Sequence, residues 1–156
     1  MTETTTTPDL LERARGIEPL LREYADEGDK TGKLADPVVD ALHENGLFGM
    51  WVPRELGGSE LDPISSLEVV SQLAYGDAST GWVTMAACLA IGTGGAYLGD
   101  EAVSGIFGGE RFPVIAGQGT RPGTAVAQDG GHVLSGSWSF ASGIKHSGFI
   151  HTLGIV

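Results

Sequence analysis

Apolar positions recur with a helical period over roughly the first two thirds of the chain and with a strand period after that. Following Pro8-Asp9, the spacing of Leu10, Leu11, Ala14, Ile17, Leu20, Leu21 and Tyr24 predicts an amphipathic packing helix to about Asp26. A polar break over Asp26 to Lys33 precedes a second helix at about Pro37 to Asn45, in which Val38, Val39, Leu42 and the following Leu47 share a face. Gly46 is placed to end it as a left-handed cap. A third helix begins with Asp62 as N-cap and Pro63 at its first position, with Ile64, Leu67, Val70 and Leu73 as its expected buried stripe to about Tyr75. A fourth starts around Gly76 to Trp82 and carries no charge from Ser79 to Gly99. That length raises a membrane helix as an alternative. The stretch holds five glycines and three threonines with few large aliphatics, which fits a buried central helix packed through small residues, with Met85 and Cys88 filling core gaps. Asp100 to Phe107 reads as a short fifth helix.

At Gly108-Gly109 the period changes. Strands are expected at Pro113 to Gly117, Thr124 to Gln128, His132 to Ser142 and Phe149 to Val156. Gly130-Gly131 supplies the positive φ angles of a tight turn, so the second and third should pair as an antiparallel hairpin. From Val133 the alternation puts Val133, Ser135, Ser137 and Ser139 on one side and Leu134, Gly136, Trp138 and Phe140 on the other. Such a strand either covers a core with its aromatics or lines a site. Its ending, Phe140-Ala141-Ser142-Gly143, sets a hydroxyl beside a glycine, where donors approach a flat ligand without an intervening Cβ. The expected fold class is α+β, with a terminal tail over 1–8, a helical domain over 9–109 and part of an antiparallel β-barrel-like domain over 110–156.

Composition narrows the chemistry. A net charge of −11 with nine Lys plus Arg argues against nucleic acid and anionic membranes as partners. The single cysteine permits no intrachain disulfide, and the start has no basic or apolar leader pattern, which fits a cytoplasmic protein. His43, His132, His146 and His151 are not accompanied by a ligand set, so no metal is expected. Gly117 to Gly123 lacks the Gly-Lys-Ser/Thr ending of a phosphate loop and joins strands with no helix N-terminus. Ser142 has no nucleophile-elbow context. His146, four residues beyond it, is either within reach of a substrate or a solvated turn histidine.

The run Trp138-Ser-Phe-Ala-Ser-Gly143 resembles the flavin-contacting strand of the acyl-CoA dehydrogenase superfamily, in the form found in its reduced-flavin-dependent, two-component (group D) monooxygenases. Gly46-Leu-Phe-Gly followed by Val52-Pro-Arg-Glu-Leu-Gly-Gly58 is similar to a signature of that superfamily, and so is Ala78-Ser-Thr-Gly-Trp82. The resemblance covers nearly the whole chain from about Asp36. Dehydrogenases of the superfamily typically show T-E-P and G-S-D where this chain has Ala116-Gly-Gln-Gly-Thr120, which places it nearer the oxygenases.

What the resemblance implies is specific. The cofactor is reduced FMN or FAD, contacted by Ala116, Gly117, Gln118, Trp138, Phe140, Ala141, Ser142 and Gly143, with Ser142 bonding near flavin N5 and O4 as the catalytic candidate. Trp82, on the helix that lines the substrate pocket in the family, is a substrate-pocket candidate by the resemblance; His146 joins it only by its spacing from Ser142. Aromatic hydroxylases of the group often carry a histidine near the position of Ala90; the absence of one here argues against a phenolic substrate. The implied reaction uses O2 and a C4a-(hydro)peroxyflavin to hydroxylate or N/S-oxygenate a small organic substrate, in a dry pocket walled by Trp82, Trp138 and Phe140. The implied partners are a separate NAD(P)H-flavin reductase and further copies of the complete chain, as a dimer or tetramer. In the full family fold a C-terminal four-helix bundle closes the flavin site, so this chain corresponds to an N-terminal portion, expected to be inactive alone. An acyl-CoA dehydrogenase acting on an acyl thioester and a non-catalytic interaction domain are the alternatives.

Overall fold

The computed structural model describes residues 7–156, so most of the expected tail lies outside the described residues. Six helices, α1 (Thr7–Gly16), α2 (Glu18–Thr31), α3 (Asp36–Glu44), α4 (Pro63–Gly76), α5 (Ala78–Tyr97) and α6 (Asp100–Phe107), precede three strands, β1 (Ile115–Gln128), β2 (Gly131–Ser135) and β3 (Phe149–Ile155).

The single helix expected over Pro8 to Asp26 is two. Pro19 lacks an N–H and its ring clashes with the carbonyl four residues back, so it is accommodated only in a first helical turn. The chain therefore breaks at Ile17, and α2 restarts with Pro19 at its beginning. The polar segment expected to interrupt the helix instead continues it to Thr31, and Gly32 closes it in the left-handed region at φ 64°. The α3 helix starts at Asp36, one residue earlier than expected, and Gly46 adopts φ 69° as anticipated.

Helix α4 has the expected N-cap: Asp62 Oδ1 accepts from the backbone N–H groups of Ile64 and Ser65 at 3.0 and 3.1 Å. Its buried face is rotated from the one predicted. Ser66, Val69 and Leu73 point inward, whereas Ile64 and Leu67 are exposed. The indole N–H of Trp51 donates to Ser66 Oγ, which is what allows a serine to hold an inward position.

Helix α5 is central. It buries Thr80, Gly81, Thr84, Ala87, Cys88, Ala90, Ile91 and Gly92, of which the small Gly81, Gly92 and Ala90 admit α4, the Trp51 backbone and β1 at close range. Met85, expected in the core, is only half-buried. Among the described residues no helix is long and apolar enough to cross a membrane. The core runs from Leu10 and Leu21 through Leu42, Phe48, Met50, Leu73 and Ile91 to Val114 and Ile115, so β1 enters the sheet from inside the helical layer.

The sheet order is β2-β1-β3. β1 and β2 form the predicted antiparallel hairpin, although Gln128 pairs with Gly131 and the two-residue turn is Asp129-Gly130, one position earlier than expected. β1 and β3 pair in parallel, so the sheet is mixed rather than wholly antiparallel. The two strands expected on either side of Gly117 to Gly123 are one strand, with a register irregularity between Gln118 and Gly123 that absorbs the loop. Conversely, the strand expected to run from His132 to Ser142 stops at Ser135. There the Trp138 ring folds against Gly123 and Gly136, where a Cβ would lie 2.5 and 2.7 Å from it, and the chain leaves the sheet. The alternating faces predicted beyond Ser135 are therefore not formed.

Candidate functional site

Two anchored segments meet at one cavity. The first is the start of α5. Asp77 caps it, its Oδ2 accepting from Thr80 N–H at 2.7 Å and from Thr80 Oγ1 at 2.6 Å. Gly81 then lies so near Ala74 of α4 that an added Cβ would meet its Cβ at 2.6 Å and its backbone N at 2.8 Å. This fixes the helix start and turns the next residue, Trp82, outward.

The second segment follows β2. Phe140 takes a left-handed φ of 63°, unusual for a residue with a bulky Cβ substituent, and Ser142 N–H donates back to Phe140 O at 3.0 Å. Gly143 has φ 83°, and a 3₁₀ turn over Ile144–His146 follows. Ser147 Oγ donates to Gly143 O at 2.9 Å, and Gly148 N–H donates to Val114 O at 3.1 Å, tying this compact turn to the base of the sheet.

Three long-range bonds join the turn to the helical layer. Trp82 Nε1 donates to Ser142 Oγ at 2.9 Å. The backbone N–H of Leu34 donates to His146 Nε2 at 3.1 Å. Lys145 Nζ donates to Thr31 O at 3.0 Å. Between these bonds lies an open cavity of about 580 Å³, whose wall includes Gly32, Leu34, Trp82, Val83, Ser142 and His146. His146 is not a solvated turn histidine: it is half-buried, and its accepting Nε2 places the remaining proton on Nδ1 of a neutral ring. Burial pushes its pKa below the ordinary value, helped by the Lys33 charge and opposed by Asp36.

Of the residues singled out in the sequence, Trp82, Ala141, Ser142, Gly143 and His146 converge on this cavity. Ala116, Gly117, Gln118, Trp138 and Phe140 do not line it. Ala116 is fully buried on β1, and Gly117 packs beneath Ala90 of α5, where a Cβ would meet that side chain at 3.4 Å. Ala90 itself is buried away from the cavity wall. Gln118 is engaged locally, Nε2 donating to Thr120 Oγ1 at 2.6 Å and Oε1 accepting from Arg121 N–H at 3.4 Å. Trp138 is half-buried and packed on its two glycines, and its Nε1 has no hydrogen-bond partner among the described residues. Phe140 is 91% exposed, because the left-handed turn aims its ring away from the cavity. The sequence reading also missed the wall formed by Gly28, Asp29, Gly32, Lys33 and Leu34. The signal available was the pair of glycines four apart in an otherwise polar segment.

The acyl-CoA dehydrogenase N-terminal domain pattern matches residues 13–104. The chain belongs to the acyl-CoA dehydrogenase family. This family member is 30% identical over 132 residues to HsaA, the oxygenase subunit of a flavin-dependent monooxygenase from Mycobacterium tuberculosis, a match covering 83% of this chain and 32% of that protein. It is 29% identical over 120 residues to indole-3-acetate monooxygenase from Pseudomonas putida, covering 75% of this chain and 30% of the relative. The solved structure of XiaF from a Streptomyces species, in complex with FADH2 and glycerol, superposes with a TM-score of 0.85 at 26% identity, over 95% of this chain and 38% of that one. The chain spans about a third of the length of the curated relatives it matches.

Proposed function

We propose that the complete protein is the oxygenase component of a two-component flavin-dependent monooxygenase, and that this chain supplies one wall of its flavin and substrate site. The observation that carries the reading is the Trp82–Ser142 bond at the cavity, made by residues of the Ala78-Ser-Thr-Gly-Trp82 and Trp138-Ser-Phe-Ala-Ser-Gly143 motifs. The oxygenase relatives support it.

The cavity residues suit a reduced flavin. Ser142 Oγ uses one lone pair to accept from Trp82, and no acceptor among the described residues takes its proton. That hydroxyl is therefore a donor available to a polar ring edge. Gly143 adds no side chain beside it, which leaves room for a flat group. Ser142, Ala141 and Gly143 would hold the ring edge; Gln118 and Ala116, engaged on β1, would not reach it without rearrangement. A bound reduced FMN or FAD supplies the electrons that activate O2 for transfer of one oxygen atom to the substrate.

The chain's own groups do the rest. Ser142 holds a proton at Oγ, and Leu34, Val83 and Ile144 give the wall an apolar surface that disfavours water. His146 stays neutral and clamps the α2–α3 corner through Leu34. The reduced flavin comes from a separate NAD(P)H-dependent reductase, the complete protein assembles as a dimer or tetramer, and it works in the cytoplasm on a small organic substrate.

The test supplies the intact protein with reduced flavin, 18O2 and a panel of aromatic and heteroaromatic compounds, among them indole-3-acetate and dibenzothiophene. Mass spectrometry should find one labelled oxygen in a product. Bleaching of bound oxidised flavin by an acyl thioester, with no labelled product, would assign the protein to dehydrogenation instead.

A further inference from the structure

Ser142 follows a strained residue in its turn. Phe140, two residues before it, holds φ 63°, a conformation that a non-glycine residue keeps only when surrounding contacts impose it. Gly143, immediately after it, is also left-handed. Within the turn the Ser142 backbone is held by its own N–H to Phe140 O and by the Ile144 N–H to Ala141 O bond that spans it, and neither touches its hydroxyl. The side chain is fixed from outside, by an indole sixty residues earlier in sequence.

That indole is suited to the task. Trp Nε1 can only donate, so it must occupy a lone pair of Ser142 Oγ and cannot compete for the hydroxyl proton. A serine hydroxyl otherwise rotates freely among three staggered positions. With one lone pair engaged at 2.9 Å, the proton is directed elsewhere. The α5 start that carries Trp82 is immobilised by the Asp77 cap and by the close approach of Gly81 to Ala74, although the ring itself is 61% exposed.

We infer that Trp82 is a positioning residue: its indole N–H orients the Ser142 hydroxyl so that the proton is committed to the cavity ligand. The inference rests on the proposed placement of reduced flavin at Ser142. It predicts that Trp82 acts on flavin only through Ser142.

The experiment compares Trp82→Phe, Ser142→Ala, Ser142→Thr and the Trp82→Phe/Ser142→Ala double variant in the intact protein. The first readout needs no flavin: the ultraviolet resonance Raman band sensitive to indole N–H hydrogen bonding, with Trp82 isolated by subtracting the Trp82→Phe spectrum. It should shift toward the unbonded position in Ser142→Ala and be retained in Ser142→Thr. The second is anaerobic titration with reduced FMN and reduced FAD. Loss of one hydrogen bond should raise Kd about two- to tenfold in Ser142→Ala and by no more than that in Trp82→Phe. The double variant should match Ser142→Ala.

An indole band unchanged by Ser142→Ala would overturn the role of Trp82, whatever the flavin affinity does. Kd effects that multiply in the double variant would overturn it too, since the two residues would then act independently. A shifted band with unchanged Kd in Ser142→Ala would show that the bond exists but that Ser142 does not meet flavin, which overturns the proposed placement itself. Because Phe keeps the ring and Thr keeps the hydroxyl, a folded comparison exists on each side of the bond.

Discussion

The contact that sets Trp82 in place can be tested by adding a single methyl group. In Gly81→Ala the new Cβ would lie 2.6 Å from Ala74 Cβ and 2.8 Å from both Ala74 Cα and N. Carbon atoms in good contact sit about 3.5–4.0 Å apart, so α4 and α5 must separate by roughly 1 Å. Two of the three clashing atoms are backbone, and no rotamer change relieves them. Overpacking of this kind costs about 1–3 kcal/mol. Exchanging glycine for alanine inside a helix returns about 0.8–1.0 kcal/mol. The net expectation is a loss of about 0–2 kcal/mol. Gly105→Ala provides the control: it lies exposed in α6 with nothing within 4 Å of the added Cβ, so only the propensity gain applies. Urea unfolding of both variants should show Gly105→Ala above and Gly81→Ala below the parent. The thermal gap should be at least about 2 °C, taking 2–4 °C per kcal/mol for a chain of this size. Equal stabilisation by both substitutions would refute the close α4–α5 approach and, with it, the argument that Trp82 projects from a fixed helix start.

Three further outcomes follow from the same contacts. Cys88 is fully buried, its thiol donates to Leu47 O at 3.3 Å, and burial pushes its pKa up to about 12, so in the 156-residue chain Ellman's reagent should not reach Cys88 until unfolding; rapid native labelling of Cys88 would contradict this. His43 and His146 both have pKa values lowered chiefly by burial, so on acidification the unfolded chain takes up their protons first. Their contribution is intact above the unfolded histidine pKa of about 6.5 and fades as pH falls below it, so the urea midpoint should drop between pH 7 and 5 and drop less in His43→Gln/His146→Gln; a midpoint that rises on acidification would oppose it. Val126, Val133, Leu134, Ile150, Leu153 and Ile155 are exposed on a three-stranded sheet, so the 156-residue chain alone should self-associate in light scattering, against which a stable monomer would count.

Local chemistry was legible where a residue type has one structural use. Asp62-Pro63 marked the start of α4, Gly46 the left-handed turn that ends α3, and Gly130 the hairpin, because caps and turns are short-range. Pro19 carried the same kind of signal for a helix break, but the apolar periodicity running through Ile17 masked it. The phase of α4 was not legible, since a serine at the buried Ser66 position depends on a tryptophan fifteen residues away. The parallel β1–β3 pairing is a long-range choice that hairpin signals do not encode. At the candidate cavity, motif resemblance had singled out Trp82 and Ser142 and spacing had singled out His146, but periodicity extended the β2 strand too far. Trp138 settling onto Gly123 and Gly136 ends that strand and turns Phe140 outward, a tertiary contact invisible in an alternating pattern.

The central claim is that Ser142 presents a hydroxyl proton to a reduced flavin delivered from elsewhere. Its most direct measurement is anaerobic equilibrium binding of reduced and oxidised FMN and FAD to the intact protein and to Ser142→Ala. Removing the hydroxyl should raise the Kd for reduced flavin about two- to tenfold. A reduced-flavin Kd unchanged by Ser142→Ala would contradict it.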